Sequence, residues 1–140
     1  MKIKLIKTYN AIIAALLAIL GFSCYSESMS EYGTPDAIFT IKGKVSSKET
    51  QQPVENIRVT MNNWSAGFTN NEGIYQVSNH GFPESQAFFV QFHDTAGIYM
   101  DLDTLIEFKN PQFTGGDEKW YEGTAIKNVD IQLTTKDDSN

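Results

Sequence analysis

Residues 41–77 read IKGKVSSKETQQPVENIRVTMNNWSAGFTNNEGIYQV, and this stretch decides the fold. Ile41, Gly43 and Val45 alternate with Lys42 and Lys44, and Ile57, Val59 and Met61 alternate with Arg58, Thr60 and Asn62. A period of two places each set on its own face of an extended strand. A polar loop, 46–53, ends on Pro53, which presets one backbone dihedral, and Asn70-Asn71-Glu72-Gly73 supplies a tight turn in which glycine takes a positive φ. Tyr75 and Val77 then resume the alternation and are expected to point inward.

The same pattern extends outward. Phe39 joins the Ile41 face, with Thr40 opposite. Further along, Phe88, Val90 and Phe92 alternate with Phe89 and Gln91, residues 105–108 supply another apolar run, and Val129, Ile131 and Leu133 alternate with Asp130 and Gln132. Gly, Asn and Pro clusters at 80–83, 94–97 and 115–117 punctuate the runs, and no helical period appears beyond the N-terminal leader. Short half-wet strands at this spacing predict an all-β fold, an antiparallel β-sandwich of the transthyretin-like or immunoglobulin-like kind, over residues 37–134. Residues 135–140 are polar and are expected to form a disordered tail.

The leader sets the expected address. Lys2, Lys4 and Lys7 form a basic segment, residues 11–20 contain no polar side chain, and Cys24, the sole cysteine, follows Gly21-Phe22-Ser23. As a helix, ten residues reach about 15 Å, half of a roughly 30 Å hydrocarbon core. A removable lipoprotein signal, 1–23, fits better than a transmembrane span. Cleavage before Cys24 would free its thiol for a thioether-linked diacylglycerol and its amino group for acylation, such as palmitate; an uncleaved anchor with Cys24 as a free thiol is the alternative reading. Residues 24–36, rich in Ser, Glu, Gly and Pro, read as a flexible tether. Tyr25 rather than aspartate follows the cysteine, which by analogy with lipoprotein sorting indicates the outer membrane, at its periplasmic face or the cell surface.

Composition excludes several function classes. The chain carries 11 basic and 17 acidic residues, a net −6; losing the three leader lysines leaves 8 against 17, a net −9. Such a domain repels phosphate backbones, so no nucleic-acid partner is expected. With Cys24 spent on lipid, no cysteine is left for a disulfide, a zinc cluster or an iron–sulfur site.

Two resemblances follow from these residues. Gly43 and Val45, Pro53, Ile57 with Val59, and Thr69, Gly73 and Tyr75 resemble the carboxypeptidase regulatory-like, transthyretin-like domain of bacterial surface proteins, over residues 41–77. Adding the leader, Tyr32-Gly33-Thr34-Pro35 and the Gly-Asp-x-x-Trp-Tyr-x-Gly segment at 116–123, the chain is similar to the radical SAM-associated lipoproteins. That resemblance implies a neighbouring radical SAM enzyme, for which this chain would be partner or modification substrate. It implies no radical chemistry here, because the chain has no three-cysteine cluster motif.

Candidate site residues are few. Asp94, Asp101, Asp103 and Glu107 offer oxygen ligands for calcium, although their spacing is not that of an EF-hand. Trp64, Trp120 and Tyr121 sit in or near turns, where they could stack on a ligand such as a sugar or plug the ends of the core. His80 and His93 are the two histidines; His93 and Asp94 are neighbours, which an alternating strand turns to opposite faces, so they are not expected to pair. No nucleophile elbow, zinc-binding helix or phosphate loop is present. Asp94-Thr95-Ala96 and Asp103-Thr104-Leu105 resemble acceptor sites for bacterial O-glycosylation. The expected function is thus an exported, membrane-anchored binding or structural accessory module with no catalytic residues and no cofactor beyond the Cys24 lipid, its partner an envelope protein or glycan.

Overall fold

The computed structural model describes residues 9–13, 15 and 33–139. Cys24 and most of the leader and tether lie outside these residues. Among the described residues no helix is long and apolar enough to cross a membrane. Residues 34–140 form one compact unit.

This unit is an all-β sandwich. Its strands are β1 (Asp36–Ser47), β2 (Ile57–Met61), β3 (Ser65–Phe68), β4 (Ile74–Gly81), β5 (Gln86–Asp94), β6 (Leu102–Phe108), β7 (Thr114–Gly115), β8 (Tyr121–Asn128) and β9 (Ile131–Leu133). One sheet has the order β4-β1-β8-β7, with β9 also paired to β1, and the other has the order β3-β2-β5-β6. Most ladders are antiparallel, as expected, but β8 and β9 both run parallel to β1. Together β8 and β9 act as one edge interrupted at Val129 and Asp130: the Val129 N–H donates to the Lys42 carbonyl, and Asp130 Oδ1 accepts the Lys44 N–H at 2.9 Å. That interruption explains Gly43. A Cβ there would stand 1.9 Å from the Val129 carbonyl oxygen.

The alternation seen in the sequence becomes the core. Phe39, Ile41, Val45, Tyr75, Val77 and Leu133 of the first sheet meet Ile57, Val59, Met61, Phe88, Val90 and Phe92 of the second, all buried. Near the start of β1, Phe39 packs against Phe88, Phe108 and Phe113 with ring centroids 5.0, 5.1 and 5.5 Å apart. Further up, Tyr75 meets Phe92 edge-on at 5.2 Å, and its hydroxyl donates to the Val129 carbonyl at 2.6 Å. Burial, with Asp130 nearby, pushes the Tyr75 hydroxyl well above the ordinary tyrosine range. Gly73 takes the expected positive φ of 74°, and Thr69, buried beneath that turn, accepts the Ile57 N–H at 2.9 Å and donates to the Val54 carbonyl at 2.7 Å.

Several expectations are corrected, among them that of a turn at Gly115, which ends the short strand β7. β4 runs through His80 and Gly81, expected as turn, because it pairs with β1 along eight residues in spite of its polar second half. β3 and β8 had not been expected as strands. The polar end is not a frayed tail as far as Ser139: Thr135 bridges to Tyr99, the Lys136 N–H donates to the Ile98 carbonyl, and Lys136–Ser139 form a 3-10 turn.

Candidate functional site

The outer face of the β3-β2-β5-β6 sheet gathers polar side chains in cross-strand rows. In register, Phe68 of β3 lies beside Arg58 of β2, and Arg58 beside His93 of β5. His93 Nδ1 lies 2.8 Å from Asp101 Oδ2. In the next row Ala66, Thr60, Gln91 and Asp103 are aligned across all four strands. Thr60 Oγ1 donates to Gln91 Oε1 at 3.4 Å. Beyond that row, Phe89 and Leu105 face each other across β5 and β6, 40 % and 60 % exposed.

Arg58, Thr60, Asn63, Gln91, His93, Asp101 and Asp103 line a shallow concavity of about 310 Å³ on this face. Its groups are complementary in kind. Arg58 only donates, Asp101 and Asp103 only accept when ionised, and Asn63, Gln91 and Thr60 do both. His93 directs Nδ1 at the Asp101 carboxylate. Such a set suits an uncharged ligand rich in hydroxyl or amide groups, each of which needs both donor and acceptor partners.

His93 and Asp94 do point to opposite faces, His93 exposed and Asp94 buried. What neighbour-by-neighbour reading missed is the pair with Asp101, eight residues away, which the return of the chain from β5 toward β6 brings alongside. A second pair, His80 Nδ1 with Asp36 Oδ2 at 2.8 Å, spans β4 and β1 on the outer face of the other sheet.

The four carboxylates proposed for calcium are not brought together. Asp94 turns inward, where its carboxylate accepts the N–H groups of Ala96, Ile98 and Tyr99 at 3.0, 2.7 and 2.9 Å. Burial would raise its pKa, but the three donors and the Lys136 charge prevail and hold it below the usual carboxylate value. Asp101 pairs with His93, Asp103 stands opposite Gln91, and Glu107 pairs with Lys109 at 3.0 Å. Four strand positions, about 13 Å, separate Asp103 from Glu107. Among the described residues no group of three or more His, Cys, Asp or Glu side chains is placed to hold a metal ion.

The turn aromatics have separate environments. Trp64 is 88 % exposed, just after Asn62 and Asn63, whose φ values of 49° and 60° are those of a primed hairpin turn. Trp120 is 38 % exposed, and its carbonyl accepts the Asp36 N–H at 2.7 Å. Tyr121 is half-buried, with its hydroxyl 2.8 Å from Thr124 Oγ1. The segment before them is shaped by Asp117, whose carboxylate accepts the N–H groups of Lys119 and Tyr121 and is thereby held below its ordinary pKa. Of the two acceptor-like threonines, Thr95 is exposed at the β5–β6 turn, whereas Thr104 is half-buried in β6 and paired with Val90.

No family model matches the chain, and no curated protein shows significant sequence similarity to it.

Proposed function

We infer that this protein is an exported, lipid-anchored binding module that holds a neutral, hydroxyl-rich envelope ligand, a glycan by preference, on the outer face of the β3-β2-β5-β6 sheet. The observation that carries this reading is the concavity itself, where Arg58, Gln91, His93, Asp101 and Asp103 converge with donors and acceptors interleaved. Paired strands hold their backbone in register, and the His93–Asp101 and Thr60–Gln91 hydrogen bonds fix four of the side chains. Phe89 and Leu105, on the same outer face, add exposed apolar surface of the kind that packs on the C–H faces of sugars. The lipid anchor is supported by the basic segment, apolar run and sole cysteine of the leader.

Full-length protein screened against an array of envelope-type oligosaccharides tests the reading. Retention of at least one glycan, weakened about tenfold or more by Gln91→Ala or Asp103→Ala with unchanged melting temperature, is expected, since a lost buried polar contact costs about 1.4 kcal/mol or more. A screen in which nothing is retained, or in which these variants bind as well as the parent, would overturn it.

A further inference from the structure

Strand direction brings three loops, far apart in sequence, to the end of the sandwich where the chain enters it. β1 begins there at Asp36. Ala37 pairs with Gly81, so the loop after β4, with Phe82 and Pro83, lies at the same end. Asp36 pairs with Tyr121, which places Trp120 there as well. The β2–β3 turn follows from the contact between the two sheets. Ser65 Oγ accepts the Ser78 N–H at 3.4 Å, while Gly67 lies against the Gln76 carbonyl, so β3 starts nearest the Gly81 end of β4. Trp64, just before β3, therefore lies toward this entry end, about level with Ser78 and three strand positions in from Gly81.

Both tryptophans of the chain thus share one end with Phe82, at 88, 38 and 55 % exposure for Trp64, Trp120 and Phe82. Pro35, Phe82, Pro83 and Glu84 line a shallow, mainly apolar hollow of about 330 Å³ at this end. Cys24 precedes Pro35 by eleven residues, at most about 40 Å of chain in any conformation. Tryptophan and phenylalanine at a surface tied so close to a lipidated residue have an obvious solvent available, the headgroup layer, where amphipathic rings are stable.

We propose that this entry end seats on the membrane surface, with Trp64, Phe82 and Trp120 entering the interfacial layer and the polar concavity held on the flank of an upright domain. The proposal rests on the lipid-anchored reading. Its charge selects the lipid. Asp36, Glu84, Glu107, Asp117, Glu118 and Glu122 outnumber Lys109, Lys119 and Lys127 at this end, so zwitterionic headgroups are preferred and anionic lipid weakens the seating at low salt.

The test uses full-length protein reconstituted from its own membrane into phosphatidylcholine vesicles brominated high on the acyl chains. Trp64→Phe and Trp120→Phe each leave one native reporter, and Ile98→Trp in the background lacking both reports the opposite end. The expected result is several-fold stronger bromine quenching at positions 64 and 120 than at 98, reduced by Phe82→Ser and by added phosphatidylglycerol at low salt. Equal quenching at all three positions, or none at 64 and 120, would overturn the seating, as would shielding of both tryptophans from aqueous iodide without bromine quenching, the result expected of a protein partner or a second copy. Mass measurement of the same sample reads Cys24 separately. A lipidated Cys24 with unquenched tryptophans sinks the seating alone, whereas an unmodified Cys24 sinks the anchor.

Discussion

The two ends of the sandwich close a β-sheet core with different side chains, although at both a carboxylate, Asp94 or Asp117, accepts loop N–H groups. At the end far from chain entry the loops are tied down by polar side chains bonding to backbone: Asp94 takes three N–H groups, Thr69 bridges Ile57 and Val54, and Asn70 Oδ1 accepts the N–H groups of Glu72 and Ile74. At the entry end the inside is closed by a cluster of phenylalanines around Phe39, while Trp64 and Phe82 are left largely in the open. The difference separates structure from use. Side chains that satisfy buried backbone groups serve the fold, whereas a large apolar side chain left in water contributes little to it.

The comparison can be broken most severely at the entry-end core. Phe39→Ala removes the ring that three other phenylalanines pack against and is expected to cost about 3–5 kcal/mol, read as a lowered denaturation midpoint with an unchanged slope. A cost near 1 kcal/mol would mean that this end closes by other contacts. At the opposite end Asp94→Asn keeps the shape but loses the charge that three N–H groups address. It is expected to cost roughly 1.5–3 kcal/mol at neutral pH.

Asp94 also sets a pH signature. Its folded pKa is depressed, so its stabilisation is present above the unfolded value near 3.8 and is lost as pH falls through the lower folded value. Denaturant titrations below about pH 4 should show the parent falling toward Asp94→Asn, with the two curves converging in acid. Parallel curves would remove the carboxylate from the account. The smallest expected effect is at the surface aromatic: Trp64→Ala should change stability by less than about 0.5 kcal/mol. A larger loss would show Trp64 to be part of the closure and would weaken the contrast between the ends.

Much of the sandwich was legible because burial on one face writes a period of two into the chain. Phe39, Ile41 and Val45, and equally Phe88, Val90 and Phe92, are the inward residues that alternation named. β3 and β8 were not legible for a stated reason. β3 is four residues long and holds Gly67, where a Cβ would stand a tight 3.0 Å from the Gln76 carbonyl oxygen. β8 carries Gly123 at a φ of 117° and polar residues where a partner strand, not an apolar face, fixes it. The Asn62-Asn63 pair was a signal for the β2–β3 hairpin, since asparagine tolerates left-handed conformations better than most residues.

The candidate site was legible only in part. Its residue types were visible, and His93 facing away from Asp94 followed from the alternation. The pairing of His93 with Asp101, the alignment of Arg58, Gln91 and Asp103, and the dispersal of the four acidic residues all depend on which strands are neighbours.

By itself the sequence determined which side chains of most strands face inward, where several of the tight turns fall, and that residues 24–140 are acidic, because each depends on local backbone preference or on composition. Tertiary structure alone decided that Trp64, Phe82 and Trp120 lie toward the end where Asp36 enters, and that two outer rows become one concavity. Strand order and direction arise from packing complementary faces across long stretches of chain, and no local pattern encodes that choice.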